Sequence, residues 1–484
     1  MRFAVTLALL LLVVSLSAAR SHETVNQSGS LPPWQQASPW PDRIVVTFAG
    51  DPARSIAANW RTDASVPIAF AEIARATPDA RFDLSARRET ARTEPVDLAT
   101  VRAASELLDI VANRGLKPVH YHSVLFTGLE PDTLYAYRVS GGDGKWSEWF
   151  QVRTAPLSGP VTFLYLGDAQ NGILSHWART IRAAYAAAPD ARFIIHAGDL
   201  VDQASRDYEW AQWFKAVGFI HGMVPAVPVA GNHEYFRPGV DPADSQRLLS
   251  ILWRPQFTLP VTEGLPDILR ETVYRVRYSN EVEIFVLDTQ GGEIALQASW
   301  LDGALARSTA RWRVATFHHP IFSSGRDRDN KERRDALLPI LQKHDVDLVL
   351  QGHDHTYARG AATQTPERIA APRRGGQGVG VMFVNSVSGA KQYEWSEGRW
   401  ANYAEHGVTL DRAGENTQFF QTIRIEGGTL TYRALTAGGA LYDTFTIEKS
   451  QDGRKRLIDG RASTIDERTF TNTAPYPGTT GLND

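Results

Sequence analysis

Five short apolar runs between Val161 and Leu350 each break into a cluster of Gly, Asp, Asn or His. Val161 to Leu166 leads into Gly167-Asp168-Ala169-Gln170, and Phe193 to His196 leads into Gly198-Asp199-Leu200-Val201-Asp202. Ala226 to Ala230 ends in Gly231-Asn232-His233-Glu234. Trp312 to Phe317 meets His318-His319-Pro320, and Val346 to Leu350 precedes Gly352-His353-Asp354-His355. Runs of this length bounded by turn residues read as buried strands, and helical stretches alternate with them, so an α/β domain is expected. In such sheets ligands bind beyond the carboxyl ends of the strands, which brings all five clusters to one rim. Glycine directly before a polar residue is expected to let the chain turn sharply there. Asp, Asn and His together suit transition metals rather than calcium with its oxygen shell. One zinc needs only three or four ligands, so this many candidates point to two metals.

Charge extends the argument. Asp168 and Asp199 supply two negative charges, and two divalent ions would leave the site positive and matched to a phosphate monoester dianion. Without metals the two carboxylates would repel, and one is expected to hold a proton. The chain has no cysteine, which removes thiolate ligands, disulfides and cysteine nucleophiles together. Fifty-one basic residues against 54 acidic ones give a net charge of -3, which disfavours binding to a nucleic-acid duplex.

The 484 residues leave room for more than one domain. Residues 1–19 have a basic start, an apolar run and small residues at the end, the pattern of a signal peptide. The run is too short for a transmembrane anchor, and an exported chain without disulfides suits a bacterial periplasm or the medium. Residues 20–38 read as a polar linker. Residues 39–155 carry short β-rich runs separated by Gly and Pro turns, the pattern of a sandwich, interrupted at 95–115 by an expected helix with Leu98, Val101, Leu108 and Val111 on one face. His120 and His122 are expected to pack rather than bind metal. Residues 156–449 hold the α/β domain, with a hairpin expected at Glu426-Gly427-Gly428 and a loop at 360–380. Residues 450–484 read as a polar tail, expected to be mobile or a loose cap.

The stretch Leu129 to Tyr135 resembles the corner of fibronectin type III and immunoglobulin-like sandwiches, where a tyrosine bonds back to the main chain. The ordered set GD, GD, GNHE, HxP and GHxH resembles that of calcineurin-like metallophosphoesterases, and the sandwich ahead of it resembles the N-terminal domain of purple acid phosphatases. The resemblance implies a layered α/β/β/α domain behind a fibronectin type III-like one. It assigns Asp168 and His355 to a first metal and Asn232, His318 and His353 to a second, with Asp199 bridging. His233 would contact the phosphate or protonate the leaving oxygen. Two metal ions per chain are implied, iron with zinc, manganese or a second iron, acting on a small phosphate ester. The implied activity is monoester hydrolysis of the acid phosphatase type; the alternatives are a phosphodiesterase or nucleotide hydrolase with the same centre, and a non-catalytic surface-binding protein.

Two positions depart from the pattern. Purple members carry a tyrosine three residues after the bridging aspartate, and its charge transfer to ferric iron gives the colour. Asp202 stands there instead, so a colourless site is expected. Gln170 occupies the place of a ligand histidine in many non-purple relatives; it either ligates through its carbonyl oxygen or orients water from the outer shell, the latter being favoured, and Asp202 is likewise a candidate metal or outer-shell residue. His319, Arg326 and Arg333 follow the fourth cluster and are candidates for holding substrate.

Overall fold

The structure, a computed structural model, describes residues 34–98, 115–236, 247–362, 377–396 and 398–460, with positions 101, 113, 465 and 467. The expected signal peptide, residues 20–33 of the linker, and Leu108 and Val111 of the expected inserted helix lie outside the described residues.

The N-terminal unit is a β-sandwich. One sheet contains β1 (Asp42–Thr47), β2 (Ile56–Asp63), β5 (Arg92–Val96) and β6 (Val119–Phe126); the other contains β3 (Phe70–Arg75), β4 (Arg87–Thr90), β7 (Leu134–Val139) and β8 (Phe150–Arg153). Val46, Ile56, Trp60, Ile73, Phe126 and Tyr137 alternate inward and form the shared core, as period-two patterning requires. The Tyr135 hydroxyl accepts from Glu130 N at 2.9 Å, the expected corner bond. His122 bonds to Thr62 and Thr93 at 2.8 and 3.0 Å, and His120 to the Val66 carbonyl at 2.8 Å, so both are packed.

The larger unit stacks two sheets. The first holds β9 (Val161–Leu166), β10 (Ile194–His196) and β11 (Ala226–Pro228), all parallel, followed on its other side by the antiparallel β22 (Phe419–Glu426), β23 (Thr429–Thr436), β24 (Leu441–Lys449) and β25 (Lys455–Asp459), with the short β19 (Gln377–Gly378) at the edge. The second runs β14 (Tyr274–Arg277), β15 (Val282–Val286), β16 (Trp312–Thr316), β17 (Leu348–Gln351), β20 (Met382–Asn385), β18 (Tyr357–Ala362) and β21 (Val408–Gly414). A small ribbon pairs β12 (Tyr235–Phe236) with β13 (Leu248–Leu249).

Alternation along the second sheet shows the layers. Ile284, Val286, Val314 and Leu350 join the core shared with the first sheet, whereas Phe285, Ala315 and Val349 join a core with Leu301 and Leu305 of α3 (Ile294–Arg307) and Leu337 and Leu341 of α4 (Lys331–Lys343). On the first sheet, α1 (Ala178–Ala187) packs against β9 and β22, and α2 (Asp207–Val217) packs beside α1 with Trp210 and Trp213 buried.

Three expectations change. The five clusters do not leave one sheet: three follow β9 to β11 and two follow β16 and β17, so the rim lies between facing sheets. The polar tail is not loose at its start. Lys455–Asp459 pairs with β24, and Lys455, buried, reaches Asp345 at 2.9 Å and Asp347 at 3.4 Å. Gly360 and Ala361, read as loop, lie inside β18, where Arg359 is held by Asp443 at 2.7 Å and Asp411 at 3.0 Å. The hairpin at Gly427-Gly428 forms as expected.

Candidate metal centre

Hydrogen bonds between the sheets draw the strand ends together. Ser388 N donates to Gly167 O at 2.8 Å and His353 N to the Asp168 carboxylate at 2.8 Å, while within the second sheet Gly352 N donates to His318 O at 2.9 Å. The glycines act by close approach more than by turning. A Cβ on Gly231 would overlap the Asp199 carboxylate, and one on Gly352 would overlap that of Asp168. Among the four glycines that precede a polar residue, Gly198 alone has a positive φ, 89°.

Two groups of donors result, and they share one residue. Asp199, His318 and His353 form the first, and Asp168, Asp199 and His355 the second; in each, the ligand atoms lie within 4.8 Å of one another. His318 Nε2 is 3.0 Å from Asp199 Oδ2, 3.1 Å from Asn232 Oδ1 and 3.2 Å from His353 Nδ1, while His353 Nδ1 is 2.9 Å from Asn232 Oδ1. His355 Nε2 is 3.6 Å from Asp168 Oδ1.

The outer bonds aim these rings. His318 Nδ1–H donates to Ala197 O at 2.8 Å and His355 Nδ1–H to Lys391 O at 2.9 Å, which turns Nε2 of each inward, where a cation can take its lone pair once any proton there is displaced. Gln170 lies 3.2 Å from His355 Nε2 through one amide atom, and its Oε1 is buried with no hydrogen-bond partner among the described residues. Converging lone pairs, two carboxylates and an orphaned amide oxygen in a buried pocket are what a pair of cations would satisfy, so the residues fit the metals the resemblance implies.

Charge inside the site agrees. Burial, reinforced by Asp199, pushes the Asp168 carboxyl up to about 8, so it holds a proton as expected of one of the pair. Burial opposes the charge on Asp199 too, but His318 and His233 beside it hold its carboxyl well below the usual range. Burial also works against a charge on His318, yet Asp199 and Asp168 outweigh it and raise the imidazole to about 9.

The other candidates separate by position. His233 Nδ1–H donates to the Asp202 carbonyl at 2.6 Å, placing Nε2 3.9 Å from Asp199 Oδ2. The Asp202 carboxylate lies 3.6 Å from His233 Nδ1, beside that histidine and outside both donor groups. His319 is buried, with Nδ1 2.9 Å from Thr289 Oγ1, and its ring lies 4.2 Å from that of His353. Thr289 Oγ1 also accepts from His319 N at 3.1 Å, so the threonine holds both the main chain and the ring of His319. Burial keeps His319 neutral. Of the two candidate arginines, Arg326 is exposed and paired with Glu394, and Arg333 donates to the Thr289 carbonyl at 2.9 Å, bracing the loop behind His319. Arg328 reaches the centre in their place, 2.6 Å from His353 Nε2.

Sequence reasoning also passed over Glu234, Lys391 and Tyr393. The Glu234 carboxylate, buried, accepts from Gly231 N at 2.7 Å and from Asp199 N and Leu200 N at 2.9 Å each, tying two metal loops together. Its place in the GNHE cluster was a usable signal. Lys391 and Tyr393 follow β20 in an irregular stretch with no motif; the Tyr393 ring lies 4.6 Å from that of His355.

The purple acid phosphatase N-terminal domain family matches residues 41–154, and the calcineurin-like phosphoesterase family matches residues 161–357. Purple acid phosphatase 15 of Arabidopsis thaliana is 26% identical over 276 residues, 49% of this chain and 49% of that protein. The chain spans about half the length of the first curated relatives it matches. Among solved structures, the purple acid phosphatase PPD1 of yellow lupin aligns at a TM-score of 0.66 and 17% identity, over 85% of this chain and 75% of that one. A structure of PhoD aligns at 0.61 and 13% identity, over 91% and 95%. At these identities both show a shared fold.

Proposed function

Since the chain is purple acid phosphatase-like, a calcineurin-like metallophosphoesterase behind a purple acid phosphatase N-terminal domain, we propose that it hydrolyses phosphate monoesters at a dinuclear metal centre. The observation that carries this reading is the pair of donor groups joined through Asp199. Asp168 and His355 would hold one ion, Asn232, His318 and His353 the other, and Asp199 both. Bound there, two cations would supply a water of lowered pKa and neutralise charge building on the phosphoryl oxygens.

The chain's own groups do the rest. The bond from His233 Nδ1 to the Asp202 carbonyl turns Nε2 toward the centre, where a protonated ring hands a proton to the leaving oxygen. His319, kept neutral by burial, would donate to a phosphoryl oxygen from Nε2 in the tautomer that accepts from Thr289. No serine or cysteine nucleophile is required, since positioning and charge stabilisation lower the barrier. The basic, apolar and small-residue order of the first 19 residues supports export to a periplasm or the medium.

Elemental analysis of the natively purified protein, coupled to phosphate release from para-nitrophenyl phosphate and its bis ester, tests the proposal. Two metal equivalents per chain, iron among them, and faster turnover of the monoester are expected, with Asp199→Asn losing both metal and activity. With no tyrosine at position 202, the loaded protein should lack an intense visible band. Turnover of the bis ester alone would instead make the chain a diesterase, and a full metal complement with no turnover would end the hydrolytic reading.

A further inference from the structure

We infer that Arg328, stacked on Tyr393 and flanked by Lys391, grips the substrate phosphoryl group and sets a preference for dianionic monoesters over monoanionic diesters. The inference rests on the phosphoesterase reading above.

Two loops deliver these side chains to one flank of the centre. The Asp354 carboxylate accepts from Ser324 N at 2.6 Å and Gly325 N at 3.0 Å, fixing the loop that carries Arg328. That loop bonds to the next: Arg326 N donates to Glu394 O at 3.1 Å and Ser396 N to Ser324 O at 2.9 Å. Half-buried, Arg328 lies with its guanidinium 4.7 Å from the centre of the Tyr393 ring, and Lys391 Nζ lies 5.3 Å from the same ring. Two cations therefore gather at one aromatic ring that also touches His355.

The contact between Arg328 and His353 does not explain Arg328 as a fixed support. A guanidinium only donates, so His353 Nε2 accepts at 2.6 Å, and Nδ1 then carries the proton that it gives to Asn232 Oδ1. A cation in the donor group requires the opposite tautomer, with Nδ1 bare and Nε2 protonated. Two N–H groups cannot share that contact, so the Nη1 donor now on His353 must turn to another acceptor, and an anion held at the centre supplies one. A planar fork suits two phosphoryl oxygens of a monoester. A diester has one charge fewer and two terminal oxygens rather than three, so a cationic fork gains less from it beside two metal ions.

Arg328→Gln and Arg328→Lys separate this from a structural role. With metal content unchanged by elemental analysis, the Gln variant should bind inorganic phosphate about ten- to a hundredfold more weakly by calorimetry, and the Lys variant should recover part of the loss. Its kcat/KM should fall by a similar factor for para-nitrophenyl phosphate, chiefly through KM, and by less than about threefold for the bis ester. Unchanged phosphate affinity, equal losses on both esters, or loss of metal from the Gln variant would each overturn the inference. A wild-type protein that binds phosphate through Arg328 but cleaves neither ester would sink the catalytic reading and leave the anion grip standing.

Discussion

Four of the side chains in the two donor groups sit on main chain that residues other than glycine seldom adopt: Asp168, Asp199, His353 and His355 have φ of 47°, 52°, 76° and 50°. Left-handed conformations cost on the order of 1 kcal/mol per residue and persist where the surroundings enforce them. Here they turn each side chain back over the strand end toward the partner sheet. The protons in the site set how it loads. His318 is raised to about 9 and Asp168 to about 8, so at neutral pH each carries a proton that a cation must displace, whereas Asp199 is already ionised. Raised values mean that this competition is absent above about 9 and grows as pH falls through 8. Metal affinity should therefore drop on acidification, by up to about a hundredfold per pH unit below 8, with one proton released from each group. Calorimetry in buffers of different ionisation enthalpy counts those protons; a pH-independent affinity would contradict the assignment.

Among the elements, the loop after β11 depends on Glu234. One carboxylate gathers three main-chain N–H groups from the loops that carry Asp199 and Asn232. Burial, with Asp199 near, raises its carboxyl to about 7, so the protein spends stability to keep this acceptor in place. Glu234→Ala leaves those donors buried without an acceptor, at about 1–3 kcal/mol each. The variant should melt at lower temperature and bind metal about ten- to a hundredfold more weakly. Thermal unfolding with and without added metal measures both, and a variant with wild-type metal affinity would show that the loops hold their shape unaided.

Across the whole molecule, the sandwich belongs to the frame of the centre. β1 pairs in parallel with β11 at Thr47 and Ala226, so the sandwich sheet continues the first sheet of the larger unit. Arg43 grips both Asp207 carboxylate oxygens at 2.8 and 2.9 Å, and Arg61 adds a contact at 3.5 Å. Asp207 opens α2 just beyond the Asp199 to Asp202 loop, and Asn113 bonds to Ser205 O at 2.7 Å and receives Asp207 N at 3.1 Å. Asp207→Ala strands buried guanidinium charge and should cost about 3–5 kcal/mol. In urea it should also uncouple the two units, with separate transitions by tryptophan fluorescence and circular dichroism where the wild type shows one. A single transition at an unchanged midpoint would deny the coupling.

The order of apolar runs and polar clusters was enough to read the strands and to single out the loops that carry Asp168, Asp199, Asn232, His318, His353 and His355, because burial periodicity and ligand chemistry are written in local residue types. The layered class and the division of those residues between two metals came from the family resemblance. The tyrosine corner and the hairpin at Gly427-Gly428 were equally local. Which arginine faces the centre was not: Arg326, Arg328 and Arg333 share one charged stretch, and only the pairing of two loops with Glu394 and Asp354 turns Arg328 inward. The continuous sheet through β1 and β11, the docking of Lys455–Asp459 and the close approaches that require Gly231 and Gly352 also arise between segments far apart in the chain. Their partners are chosen by three-dimensional packing, which no local pattern encodes.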